Sequence, residues 1–142
     1  MSKTIEGGAG SKRKRVGWLL TGLSGAFLLL DAAGKFMRPE AVVEAMGKLG
    51  YEASVITPLG FVLAACTALA LFPRTAVVGA ILLTGYLGGA VATHVRVGNP
   101  LFSHALFPVY IGAMIWLGLQ LRGFELRPPR AHGRAAAETK LG

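Results

Sequence analysis

Four apolar runs separated by short polar gaps set the pattern of this chain. The first, VGWLLTGLSGAFLLLDAAGKFM, covers residues 16–37, and its apolar part ends at Leu30, so Asp31 and Lys35 fall near its far end. The others cover about 55–72, 75–96 and 103–121. Each is close to the roughly 20 residues that an α-helix needs to cross the hydrocarbon of a bilayer. Thr57 and Pro58 read as cap and first helical residue of the second run, while Gly98–Asn99–Pro100 marks a turn ahead of the fourth. The connection around Pro73 and Arg74 is so short that spans two and three are expected to be antiparallel neighbours.

Between spans one and two lies EAVVEAMGKLGY, in which Val42, Met46 and Leu49 share a helical face away from Glu40, Glu44 and Lys48. Pro39 suits the first turn of such a helix and Gly50 its end. The pattern predicts a short amphipathic helix on the membrane surface, with packing against the bundle as the alternative. The fold class is therefore all-α: an integral membrane four-helix bundle with a short amphipathic surface helix between spans one and two. The transmembrane domain covers 16–122, between a basic N-terminus (1–15) and a Pro-, Arg- and Ala-rich tail (123–142), both expected to be disordered and cytoplasmic.

Charge adds orientation. The net charge is +8, from 15 Lys and Arg against seven Asp and Glu. Threaded through four spans, eleven basic residues (Lys3, Lys12, Arg13, Lys14, Arg15, Arg74, Arg122, Arg127, Arg130, Arg134 and Lys140) lie on one side. Lys35, Arg38, Lys48 and Arg96 lie on the other. The positive-inside rule then puts both termini in the cytoplasm of a multi-pass inner-membrane protein. The Lys12–Arg15 cluster reads as an orientation signal, and nucleic acid is not an expected partner. The single cysteine, Cys66, lies in an apolar run and can form neither an internal disulfide nor a C-x-x-C pair.

The candidate chemistry gathers at one end, around GYLGGAVATHVRVGNPLFSH (85–104). At helical spacing Tyr86, Ala90 and His94 form one stripe, and Gly85, Gly89 and Thr93 the stripe beside it. Small residues every fourth position predict close approach of another helix along that second stripe. Asp31, Lys35, His94, Arg96, Asn99 and His104, from three chain segments, are expected at one membrane level. Polar groups at bilayer depth usually face the bundle interior or a wet cavity, so these residues and Tyr86 form the candidate ligand-binding set. Asp31 and Lys35, four apart, can pair with each other, or Asp31 with Arg96, merely closing the bundle; Arg96 can instead snorkel to the headgroups. His104, behind the N-cap candidate Ser103, is expected near water, and Pro108 within span four would free the His104 carbonyl. Two histidines and a carboxylate could bind iron or zinc, but no H-x-x-x-H, E-x-x-H or C-x-x-C spacing supports a metal.

The segments LLLDAAGKFMRPE, KLGYEASVITPLG, TGYLGGAVATHVRVG and PLFSHALFPVYIGAMIWLGL resemble the DoxX-like family of small bacterial membrane proteins, over about Val16 to Arg122. The resemblance implies four transmembrane helices and no obligatory cofactor motif. Relatives include subunits of a thiosulfate:quinone oxidoreductase and members linked with oxidant-defence assemblies; no catalytic residues carry over. Combined with the polar cluster, it points to a site opening toward the outer leaflet for a quinone or similar lipid-soluble compound, in a redox or detoxifying process. The protein would then be a candidate subunit of a membrane oxidoreductase with a membrane or soluble redox partner. The alternative is a non-catalytic membrane subunit or scaffold, oligomeric or packed on a partner through its glycine and alanine seams. A transporter is less favoured, because the sequence has neither clear internal repeats nor broken helices.

Overall fold

The computed structural model describes residues 3–123, with side chains from Gly10 onward. Its helices are α1 (Lys3–Met37), α2 (Glu40–Lys48), α3 (Ala53–Leu71), α4 (Ala76–Arg96) and α5 (Phe107–Leu121), with a π-helical turn, Leu101–Ala105, ahead of α5. Among the described residues four segments are long and apolar enough to cross a membrane: Gly10–Met37, Ala53–Leu71, Ala76–Arg96 and Leu101–Leu121. Each packs on two others in the closed order α1, α3, α4, α5 and back to α1. That leaves α1 and α4 facing each other across the bundle axis. The short α3–α4 connection makes those two helices antiparallel neighbours, as expected.

Leu28, Leu63, Cys66, Leu83, Ile115 and Leu119 form the centre of the core. Outward, Leu19, Leu30, Phe61, Phe102 and Ile81 are largely exposed. A helix that is apolar on both faces belongs in a solvent that is itself apolar, which is how a bilayer differs from water. The hydroxyls inside the spans agree with that setting. Thr21, Ser24, Thr67 and Thr84 each donate to the carbonyl four residues earlier, at 2.7–2.9 Å, so none of these four hydroxyls leaves its donor in hydrocarbon.

Close helix contacts fall at glycines, but not at the predicted ones. A β-carbon on Gly17 of α1 would stand 2.8 Å from the Gly118 carbonyl oxygen of α5. One on Gly79 would collide with the Ala70 backbone across the α3–α4 corner, and one on Gly60 of α3 would stand 3.0 Å from Lys35 Cβ. Gly85 and Gly89 would meet nothing within 4 Å, so the seam predicted along Gly85, Gly89 and Thr93 is not a helix contact. Periodicity identifies a stripe of small residues; the rotation of the helix in the bundle decides what faces it.

Several boundaries also differ from the sequence reading. Helix α1 starts at Lys3, so the basic segment expected to be unstructured is largely helical. An apolar helix propagates cheaply into Lys and Arg, which are good helix formers. Helix α3 starts at Ala53 behind Glu52, which puts Pro58 inside the helix rather than at its first position. Pro108 is the second residue of α5, where no intrahelical donor is needed, and Ser103 lies in the π turn instead of capping α5. The expected continuous fourth helix, in which Pro108 would free the His104 carbonyl, is therefore interrupted at Leu106. Of the predicted tail, all but Gly123 lies outside the described residues.

Candidate functional site

At the end of the bundle that carries α2, the four spans part around a cavity of about 590 Å³. Its apolar walls are Phe27 and Leu28 of α1, Leu59 of α3, Leu87 of α4 and Ile111 of α5. Helix α2 roofs it with Ala41, Val42, Ala45, Met46 and, just beyond its end, Leu49. Helix α2 therefore turns its apolar face toward the bundle, with Met46 buried, while the charged pair Lys48–Glu44 stays exposed at 2.8 Å. This is the packing alternative of the sequence reading. The volume falls within the few hundred to 1,000 Å³ typical of small-molecule sites.

Gly85, Tyr86, Gly89, Ala90, Thr93 and His94 all line the cavity. Both stripes of α4 thus face one hollow, and the glycines provide its room, since larger side chains there would fill it. Asp31 and Lys35 line it from α1. Lys35 Nζ donates to Asp31 Oδ2 at 2.6 Å; the lysine side chain is 9% exposed and the aspartate 43%. The lysine stem is held against α3 at Gly60. Pairing lets an ammonium persist at this depth.

His94 is oriented by the chain that follows it. Gly98, at φ 71°, ends α4 in a left-handed turn. The Gly98 N–H then reaches the Val95 carbonyl and the Asn99 N–H the His94 carbonyl, at 3.1 and 3.0 Å, the Schellman arrangement. The same turn puts Asn99 Nδ2 2.8 Å from His94 Nδ1. With the amide donating, Nδ1 accepts, the ring proton sits on Nε2, and Nε2 is the atom left for a ligand.

Helix α2 ends in the same way, with Gly50 at φ 82° and the Tyr51 N–H on the Met46 carbonyl at 3.0 Å. Tyr51 is thereby turned inward to line the cavity, its hydroxyl 2.9 Å from Thr93 Oγ1. Thr93 Oγ1 itself donates to the Gly89 carbonyl at 2.9 Å, so Tyr51 is the donor in this pair. The sequence reading missed Tyr51. The available signal was Gly50, since the residue after a helix-ending glycine is directed back over the last turn.

Of the seven predicted site residues, Asp31, Lys35, Tyr86 and His94 line the cavity, and Asn99 touches it through His94. Arg96 does not pair with Asp31 and does not face the cavity: its Nη2 donates to the Leu49 carbonyl at 3.0 Å. It is the last residue of α4, whose cavity face ends at His94, and rotation by two positions carries it around the helix. His104 is also outside the lining; it pairs with Ser103 at 2.8 Å, and its ring centroid lies 6.1 Å from that of His94.

A four-helix integral membrane protein whose spans enclose a mostly apolar cavity with a polar end is the class these features define. A model of the DoxX-like family matches residues 19–118, and the chain belongs to that family. No curated protein matches it. No solved structure matches it.

Proposed function

We propose that this DoxX-like protein binds an uncharged, lipid-soluble molecule of the quinone type in the cavity beneath α2, in a redox or detoxifying process. The observation that carries the reading is the charge balance of the lining. Its one lysine and its one aspartate already satisfy each other at 2.6 Å. A charged ligand would have to break that pair or bring an unpaired charge into a low-dielectric space, at a cost of several kcal/mol. A neutral ring carbonyl or hydroxyl can instead use the remaining Lys35 N–H bonds, the Tyr86 hydroxyl and His94 Nε2. The apolar body would lie against Phe27, Leu28, Leu87 and Ile111. His94 is the hydrogen-bond partner or proton donor; Tyr86 and Asp31 support it, and Asn99 orients it. In this reading Arg96 and His104 stand at the rim.

The charge split along the chain supports both termini in the cytoplasm and a site near the outer leaflet of an inner membrane. A non-catalytic subunit or scaffold remains the second reading; the space beside Gly85 and Gly89 counts against its glycine seam and leaves its alanine seam, Ala64 and Ala68, as the surface for a partner. Mass spectrometry of lipids and quinones extracted from gently purified protein tests the choice. A stoichiometric quinone or similar neutral lipid is the expected result. One co-purifying protein with no small molecule would overturn it.

A further inference from the structure

We infer that α2 is a lid, and that its closed position is held by a latch between Tyr51 and Thr93 that controls exchange of the cavity's ligand. The inference rests on the reading of the cavity as a ligand site and adds its regulation.

Three observations carry it. First, the nine-residue α2 has one buried residue, Met46, and packs only lightly, against α3, while most of its apolar underside looks into the cavity. A helix so placed loses little packing when it lifts. Second, both of its ends join the bundle through left-handed backbone, Arg38 at φ 50° before it and Gly50 at φ 82° after it. The connectors are short and no span must deform for the helix to swing, as in other hinge closures.

Third, side-chain ties between the lid region and α4 are few and polar: Tyr51 to Thr93 at 2.9 Å and Arg96 to the Leu49 carbonyl at 3.0 Å. The Thr93 hydroxyl hydrogen is already committed to the Gly89 carbonyl, at 2.9 Å. Releasing Tyr51 therefore strands no buried donor on α4, and the freed phenol can be hydrated outside. An interaction that opens without leaving an unsatisfied partner suits a reversible latch. A purely structural contact gains nothing from that arrangement.

The test locks and unlocks the lid in a Cys66→Ala background. A β-carbon on Gly34 would lie 3.7 Å from Val42 Cγ2, so Gly34→Cys with Val42→Cys can form a disulfide between α1 and α2. With decylubiquinone as probe, release from the oxidised pair is expected to slow on the order of ten-fold and to recover on reduction. Tyr51→Phe should speed release about five-fold, the change expected from one lost hydrogen bond. Equal release from locked, reduced and Tyr51→Phe proteins would overturn the lid while leaving the binding site standing. If the parent protein binds no decylubiquinone, the quinone reading fails instead, and a second measurement decides the lid. A sulfonated, water-soluble methanethiosulfonate should modify Ala90→Cys faster with Tyr51→Phe than without it. Equal labelling rates would refute the lid independently of any ligand.

Discussion

Gly17 of α1 and Gly118 of α5 touch backbone to backbone, whereas Gly89 of α4, in a more conspicuous glycine stripe, faces open space. Glycine thus does opposite jobs in one bundle: it lets two helices meet at one level and keeps a cavity empty at another. Gly118→Leu forces α1 and α5 apart and should cost about 1–3 kcal/mol through overpacking. Gly89→Leu has room for its side chain, so its melting temperature in detergent should stay near that of the parent while ligand binding falls. Comparable melting temperatures for Gly118→Leu and the parent would show that the contact contributes nothing.

The ion pair on α1 is asymmetric, because Lys35 is buried and Asp31 is nearly half exposed. Asp31→Asn leaves an ammonium at depth without its counter-charge and should destabilise by about 3 kcal/mol. Lys35→Met leaves a carboxylate that still reaches polar surroundings, so a loss of roughly 1 kcal/mol is expected. The double variant should be more stable than Asp31→Asn alone. A chemical-denaturation series in which the two single variants are equal would count against this account.

His94→Gln keeps hydrogen-bonding capacity but cannot titrate near neutral pH. It should insert and fold normally yet lose binding of the native small molecule, or the pH dependence of any activity. Asn99→Ala, which removes the partner of Nδ1, should weaken binding by about five-fold, the effect of one hydrogen bond. His104→Gln should do less than either, because His104 lies outside the lining. Unchanged binding and pH dependence in His94→Gln would remove histidine from the site.

Reporter fusions give the orientation. One joined after Gly142 and one inserted between Lys48 and Gly50 should report opposite compartments, the first cytoplasmic. The same compartment for both is incompatible with the positive-inside assignment.

The sequence by itself determined the number of spans, their approximate limits, the surface between polar and apolar ends, and the family. These follow from local quantities: run length, side-chain polarity and the 3.6-residue period that put Tyr86, Ala90 and His94 on one stripe and paired Asp31 with Lys35. It also located the polar end, because polar residues within long apolar runs are conspicuous in any one-dimensional reading. Tertiary structure decided the rest. Whether a glycine stripe meets a helix or a cavity depends on how α4 is rotated against α1, which no residue on α4 encodes alone. Arg96 and His94 are two positions apart in sequence, yet one reaches the Leu49 carbonyl and the other faces the cavity. Tyr51 joins the site because the left-handed Gly50 folds the end of α2 back over the hollow, as Gly98 does for Asn99 at the end of α4. Close approach, rotation and chain reversal are relations between segments, so they become visible only when the segments are assembled.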